Sequence, residues 1–158
     1  VLKKILSSEK NGLLKKYDNI FIDCPPSLSL LTIMALVASD ELLVPLQTEF
    51  FALEGITQLV KTIDRIKENL NPSLKIRGIL LTMFDKRNKL SSQVDIEARN
   101  YFKDKVYNNV IPRNVRLSEA PSHGLPCVMY DKNCSGSKSY FALAKEFMSQ
   151  QAKLGSAA

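Results

Sequence analysis

The chain has 158 residues, 45% of them hydrophobic and 24% charged, with a formal net charge of +6. This composition suits one globular domain with a sizeable core and argues against a disordered chain. No apolar run reaches the length of a membrane span: the nearest, 28–37, is short and interrupted by Ser and Thr.

The positive charge is a mild pointer to a polyanionic partner such as nucleic acid. Cys24, Cys127 and Cys134 are scattered, with no CxxC pair and no Cys/His cluster of metal-ligand spacing. Reduced thiols in a cytosolic protein are the expectation. The first residue is Val, and Val1-Leu2-Lys3-Lys4 leads into an amphipathic segment rather than a secretory signal. An internal start is therefore expected.

In chain order, Leu2, Ile5, Leu6, Leu13 and Leu14 predict a helix broken near Asn11-Gly12. Ile20-Phe21-Ile22, ending at Asp23, reads as a buried strand. Residues 28–38 are apolar and of helix length, and Leu42-Leu43-Val44-Pro45 reads as a second strand. Leu53, Ile56, Leu59, Val60, Ile63 and Ile66 recur at helical spacing over 52–70, and Asn71-Pro72 stops that helix. A third strand is predicted over 76–82, a charged loop over 85–90, and a helix over 94–102. A shorter fourth strand follows over 106–111, one helical turn over 115–120, and a last short strand over 126–130. A helix over 137–153 closes the chain, carrying Tyr140, Phe141, Leu143, Ala144 and Phe147.

Strands alternate with helices, and most strands are continuously apolar. That pattern belongs to an α/β fold with a mostly parallel sheet covered by helices on both faces. Such folds place ligands beyond the carboxyl ends of their strands. The chemically interesting residues of this chain fall there.

After the first strand stands Asp23-Cys24-Pro25-Pro26-Ser27. A carboxylate at a strand tip is where nucleoside triphosphatases hold magnesium, directly or through water. The plainer reading is a strand end followed by a helix capped by Ser27. Gln47 and Glu49 follow the second strand, where a loop with Thr48 or Glu49 capping the next helix explains them equally well. Lys86, Arg87 and Lys89 follow the third strand and could clamp phosphates, although such runs are usually solvated loops. Arg113 and Arg116 bracket a helix start after the fourth strand, where backbone N–H groups favour an anion. His123, the only histidine, has no triad or metal-ligand arrangement around it and reads as a loop residue.

Four blocks, YDNIFIDCPPSLSLLTIMAL, LLVPLQTEFFALEG, GILLTMFDKRNKLSSQV and VIPRNVRLSEAPSHGLP, resemble the ParA/Soj chromosome-partition ATPases of the deviant-Walker P-loop group, which also contains MinD. The resemblance covers about 17–147, and the last block is its most specific part. It implies a P-loop NTPase-like fold, with 1–158 as the C-terminal portion of a single ATPase domain whose N-terminal part is missing.

Asp23 resembles the switch residue that organises magnesium, usually through water; Pro25 and Pro26 resemble that switch's rigid backbone near the γ-phosphate. Gln47 and Glu49 fall on the nucleotide-sandwich dimer face. Thr82, Pro112 and Asn114 fall where the family's loops approach adenine. Arg87 and Arg116 fall on positions used for non-specific DNA binding by the ATP-bound dimer.

Two departures stand out. The segment GxxxxGK[ST], with its magnesium-binding Thr, does not occur in these 158 residues, nor does the family's water-positioning Asp. No complete catalytic set is present, so the chain alone is expected to be inactive and to need no cofactor, whereas the complete protein would use ATP and Mg²⁺. Second, the family's Arg-containing loop is here Lys132-Asn133-Cys134-Ser135-Gly136, with less charge.

The resemblance implies ATP-driven homodimerisation, non-specific DNA binding, a ParB-type partner, and a cytoplasmic, nucleoid-associated location without a membrane anchor. The alternatives are a non-enzymatic DNA- or partner-binding remnant and a MinD-like positioning ATPase. Residues 150–158 lack the bulky apolar face that a MinD-like anchor needs.

Overall fold

The computed structural model describes residues 2–6, 13–25 and 29–155. Within them the chain forms two compact units: Val1–Leu42 with Thr57–Arg77, and Leu43–Ile56 with Gly78–Ala158.

The first unit contains helices α1 (Leu2–Leu6), α2 (Leu13–Lys16) and α3 (Leu30–Ala38), with α1 packed on α3. It also holds most of α4 (Ala52–Asn69). Ser29 caps α3 by accepting from Thr32 N at 3.4 Å, and Ser39 closes it by donating from Oγ to Ala35 O at 2.8 Å. The apolar period of α4 places Ile63 and Ile66 in a core with Leu36 and Leu74, flanked by Ile33, Leu42, Leu59 and Ile76. Each such buried side chain contributes about 1.5–3 kcal/mol. Buried Asn71 turns the chain after α4 and donates from Nδ2 to the carbonyls of Leu36 and Ser39.

Strands β1 (Glu41–Gln47) and β2 (Lys75–Thr82) pair in parallel, with Lys75 N donating to Asp40 O and Thr48 N donating to Thr82 O. With α4 between them they make a β-α-β unit. The even-numbered positions of β1 thus turn their peptide groups toward β2. Pro45 points away from it, so its missing N–H breaks no ladder bond.

In the second unit the centre of β2, residues 78–81, is wholly buried, as a strand covered on both faces requires. Its core is Leu80, Tyr107, Ile111 and Leu143, flanked by Leu43, Leu117 and Phe147. Helix α5 (Lys89–Phe102) buries Ser91, Val94, Ala98 and Phe102 along one face. Short helices α6 (Val115–Glu119) and α7 (Cys127–Tyr130) precede the long α8 (Ser135–Gly155), which supplies Leu143 and Phe147 to the core.

Three expectations need correction. Ile20-Phe21-Ile22 forms no strand and is exposed, Phe21 at 72%; apolarity does not make a strand without a neighbour to complete the ladder.

The segment over 106–112 runs parallel beside β2, but as two isolated bridges, Ile79 to Val106 and Phe84 to Pro112, rather than a regular strand. Between those bridges one side advances five residues and the other six, so the two segments drift out of register and no continuous ladder forms.

The stretch expected to be a strand over 126–130 is helical instead. Met129 N and Tyr130 N both donate to Pro126 O, and a proline at a helix start has no N–H to lose.

Candidate functional site

The residues singled out by sequence divide between the two units. Asp23 and Pro25 lie in the first, exposed and without regular secondary structure; Pro26 and Ser27 lie outside the described residues. Gln47, Glu49, Thr82, Arg87, Pro112, Asn114 and Arg116 lie in the second.

Gln47 and Glu49 are exposed where β1 ends, and Thr48 between them is buried. Thr48 N donates to Thr82 O at 3.1 Å, and its Oγ1 lies 3.3 Å from the carbonyls of Thr82 and Met83. Ser91 Oγ, also buried, donates to Thr48 O at 3.3 Å. Thr48 and Ser91 thus pin the ends of β1 and β2 to the first turn of α5. The sequence offered Thr48 only as a helix cap, and Ser91 carried no signal. Met83, next in line, adopts φ 54, a left-handed conformation uncommon for a residue with a side chain.

Beyond Met83 the chain turns at Asp85, whose Oδ1 accepts from Arg87 N at 3.0 Å. The Arg87 guanidinium returns to the same carboxylate at 3.2 Å. These bonds, side chain first, hold the Asp85 carboxyl below its ordinary pKa and the Arg87 guanidinium above its own. Asn88 then caps α5 by accepting from Leu90 N at 3.0 Å.

The neighbouring segment leaves the fold beside it. Phe84 N donates to Ile111 O at 3.1 Å, and Arg113 N donates to Phe84 O at 3.0 Å. Arg113 reaches Glu49 at 3.4 Å in an exposed pair. Asn114 caps α6, accepting at Oδ1 from Arg116 N at 2.9 Å and donating from Nδ2 to Ser135 Oγ at 2.8 Å. Arg116 donates to Glu119 Oε2 at 2.8 Å and lies 3.6 Å from Asp131. The bond to Glu119, above all, raises the Arg116 pKa.

The plain pairing along one helical face is therefore present at Arg116, together with a second carboxylate that sequence did not foresee. His123 lies in a 3-10 turn over Ala120–His123 and stacks on the Tyr130 ring at 4.8 Å. Among the described residues, no group of three or more His, Cys, Asp or Glu side chains is placed to hold a metal ion, and no helix is long and apolar enough to cross a membrane.

The second unit therefore brings two segments side by side, one running from the end of β2 into α5 and the other from the bridge at Pro112 into α6. One carries Lys86, Arg87 and Lys89, the other Arg113 and Arg116. Each of the three arginines is paired with a carboxylate: Arg87 with Asp85, Arg113 with Glu49, and Arg116 with Glu119 and Asp131.

Comparison with known proteins agrees with this architecture. The AAA domain family model AAA_31 matches residues 1–76. The chain is 56% identical over 135 residues to the chromosome partitioning protein ParA of Caulobacter vibrioides, covering 85% of this chain and 51% of that protein. It is 52% identical over 149 residues to the chromosome-partitioning ATPase Soj of Treponema pallidum, covering 94% and 57%.

Among solved structures, it matches cobyrinic acid a,c-diamide synthase from Mycobacterium smegmatis with a bound ATP analogue and magnesium. That match has TM-score 0.69 and 31% identity, over 88% of this chain and 49% of that one. Pyrococcus furiosus cell division ATPase MinD shares the fold at TM-score 0.72 and 24% identity, over 94% and 58%. The chain spans about half the length of the curated relatives it matches. Its fold is the α/β fold of P-loop ATPases, and by sequence and fold the chain belongs to the ParA/Soj family of chromosome-partitioning ATPases.

Proposed function

We propose that this chain is the DNA-contacting portion of an ATP-dependent partition protein. In the complete protein, ATP drives homodimerisation, the dimer binds DNA without sequence preference, and a ParB-type partner stimulates hydrolysis and release. The protein would work in the cytoplasm, on the nucleoid. Arg87 and Arg116 are the phosphate-contacting cations. Gln47 and Glu49 belong to the dimer face, Asp23 with Pro25 and Pro26 to the magnesium-side switch, and Thr82, Pro112 and Asn114 to the adenine side.

The observation that carries the DNA reading is the backbone pairing of Phe84 with Ile111 and Arg113, which sets the Arg87 loop beside the Arg116 segment. Cations on adjacent segments can follow a phosphate backbone, and contacts of that kind add affinity without reading bases.

The residues present do not by themselves fit a nucleotide with its metal. The chain contains no GxxxxGK[ST] segment. The Asn114 side chain uses its oxygen as a cap and its amide on Ser135. The Thr82 carbonyl accepts from Thr48. No hydrolytic step is therefore assigned to these side chains, and this chain by itself should release no phosphate from ATP.

The test is binding to two unrelated duplexes across a salt series, with dimerisation followed separately in the complete protein. Arg87→Glu and Arg116→Glu should weaken both duplexes alike and flatten the salt dependence by about 0.9 in log–log slope per lost phosphate contact. Parental binding by both variants would overturn the assignment. Loss of DNA only through loss of dimerisation would move the arginines to the dimer face.

A further inference from the structure

The thiols of Cys127 and Cys134 play no part in the reading above. They stand seven residues apart in sequence, and their sulfurs are 3.6 Å apart. Cys127, on α7, is buried; Cys134, at the start of α8, is partly exposed. The two elements pack together.

Cys134 occupies the capping place of α8. Its sulfur accepts from Ser137 N at 3.3 Å, and its carbonyl accepts from Lys138 N at 3.1 Å. Ser137 Oγ lies 3.4 Å from each sulfur and donates to Asp131 O at 2.7 Å. Asp131 Oδ1 accepts from Asn133 N and Cys134 N, fixing the turn between the two cysteines. The geometry joins two thiols in van der Waals contact, one of them reachable from solvent at a helix start that favours a thiolate.

The titration behaviour fits this arrangement. Burial and the Asp131 charge work against a thiolate at Cys134. The backbone N–H of Ser137, donating to the sulfur, and the Cys127 thiol work the other way, and the pKa lies below the ordinary thiol value. At Cys127 the Ser137 hydroxyl favours the thiolate, but burial and the adjacent Cys134 and Asp131 prevail and push its pKa up. A partly exposed thiol whose ionisation is favoured, beside a buried partner whose ionisation is disfavoured, is the division of labour that a reactive dithiol needs.

We propose that Cys127 and Cys134 form a reversible thiol–disulfide modification site, with Cys134 as the attacking thiolate and Cys127 as the resolving thiol. The oxidant is a small-molecule disulfide. The Cys134 thiolate attacks one of its sulfurs, the disulfide bond breaks, and one thiolate leaves. The Cys127 thiol then loses its proton and attacks the Cys134 sulfur, expelling the second thiolate. Two protein thiols are oxidised and one disulfide is reduced to two thiols. Closing the bond to ~2.0 Å ties the start of α8 covalently to α7. The proposal does not depend on the DNA reading.

The purified protein is equilibrated with glutathione buffers of graded redox ratio, trapped by alkylation, and mapped by peptide mass. The expected result is a two-electron transition in which the peptides of Cys127 and Cys134 become linked with loss of two hydrogens. Cys24 is expected to carry only glutathione. Cys127→Ser should leave Cys134 as a mixed disulfide, and Cys134→Ser, which keeps an oxygen at the cap, should leave Cys127 largely reduced. Recovery of both peptides as separate alkylated thiols across the whole series would overturn the proposal. So would pairing of either cysteine with Cys24 instead. Because the mapping reads the unmodified protein, it decides the matter even where a variant folds poorly.

Discussion

Arg116 and Glu119 lie three residues apart on α6, with the guanidinium donating to the carboxylate at 2.8 Å. Their side chains are 51% and 39% exposed, so water screens the pair and it contributes little to stability. A phosphate can therefore displace Glu119 with little loss. Glu119→Gln, which removes a repelling charge and leaves Asp131 as the remaining carboxylate beside the guanidinium, should tighten binding to any duplex by roughly two- to fivefold. Fluorescence anisotropy with two unrelated sequences measures it. Unchanged affinity would mean that Arg116 does not face the DNA.

Asn71 is a buried polar anchor of the first unit, and its amide serves the carbonyls of Leu36 and Ser39 at 3.0 and 2.8 Å. Asn71→Ala leaves both acceptors without that donor and should cost about 1–3 kcal/mol. Asn71→Asp keeps the shape but replaces the donor by an acceptor, and should cost at least as much. Urea melts of the two variants against the parent test this; a loss within error for both would refute the anchoring role.

Gly78 lies in the buried centre of β2 beneath the Tyr107 ring. A Cβ built there would stand 2.5 Å from Tyr107 Cε2 and 3.0 Å from the Lys105 carbonyl oxygen. Tyr107 is itself almost fully buried and has nowhere to retreat. Gly78→Ala should therefore destabilise by about 1–3 kcal/mol through overpacking. Combined with Tyr107→Leu, the double variant should lose less than the sum of the singles, because the clash is removed with the ring. Strict additivity would count against it.

Glu146 on α8 accepts from the backbone N–H of Asn108 at 2.8 Å and of Asn109 at 3.0 Å, and also from both side-chain amides. Burial raises its pKa, but these four donors outweigh burial and leave it below the ordinary glutamate value. A carboxylate whose folded pKa is depressed contributes stability that is fully present above its unfolded pKa. That contribution is lost as pH falls through the folded value. Glu146→Gln should lower stability at neutral pH, by an amount on the order of 1 kcal/mol, and make the acid limb of the stability curve shallower. Thermal melts over an acidic pH series provide the comparison; parallel curves would show that the carboxylate charge is not involved.

The order of helices and strands from α3 to α5 was legible in the sequence, because it rests on local properties. The period of Ile56, Ile63 and Ile66 marks one face of α4 wherever that helix sits. The run Gly78-Ile79-Leu80-Leu81 within β2 announces a strand covered on both faces. Family membership was legible for the same reason, since the four blocks from 17 to 126 are runs of contiguous residues.

What depended on residues far apart was decided only by tertiary structure. Ile20-Phe21-Ile22 has the composition of a strand, but composition supplies no partner ladder. The drift in register between Val106 and Pro112 is defined only against the segment from Ile79 to Phe84. Thr48 looked like a cap until packing turned its hydroxyl toward Ser91, 43 positions away. Arg116 gained Asp131, and Cys127 gained Cys134, because α6, α7 and α8 fold back on one another. Periodicity reports which face of an element is apolar; it carries no information about which element will cover that face, and contacts of this kind are made there.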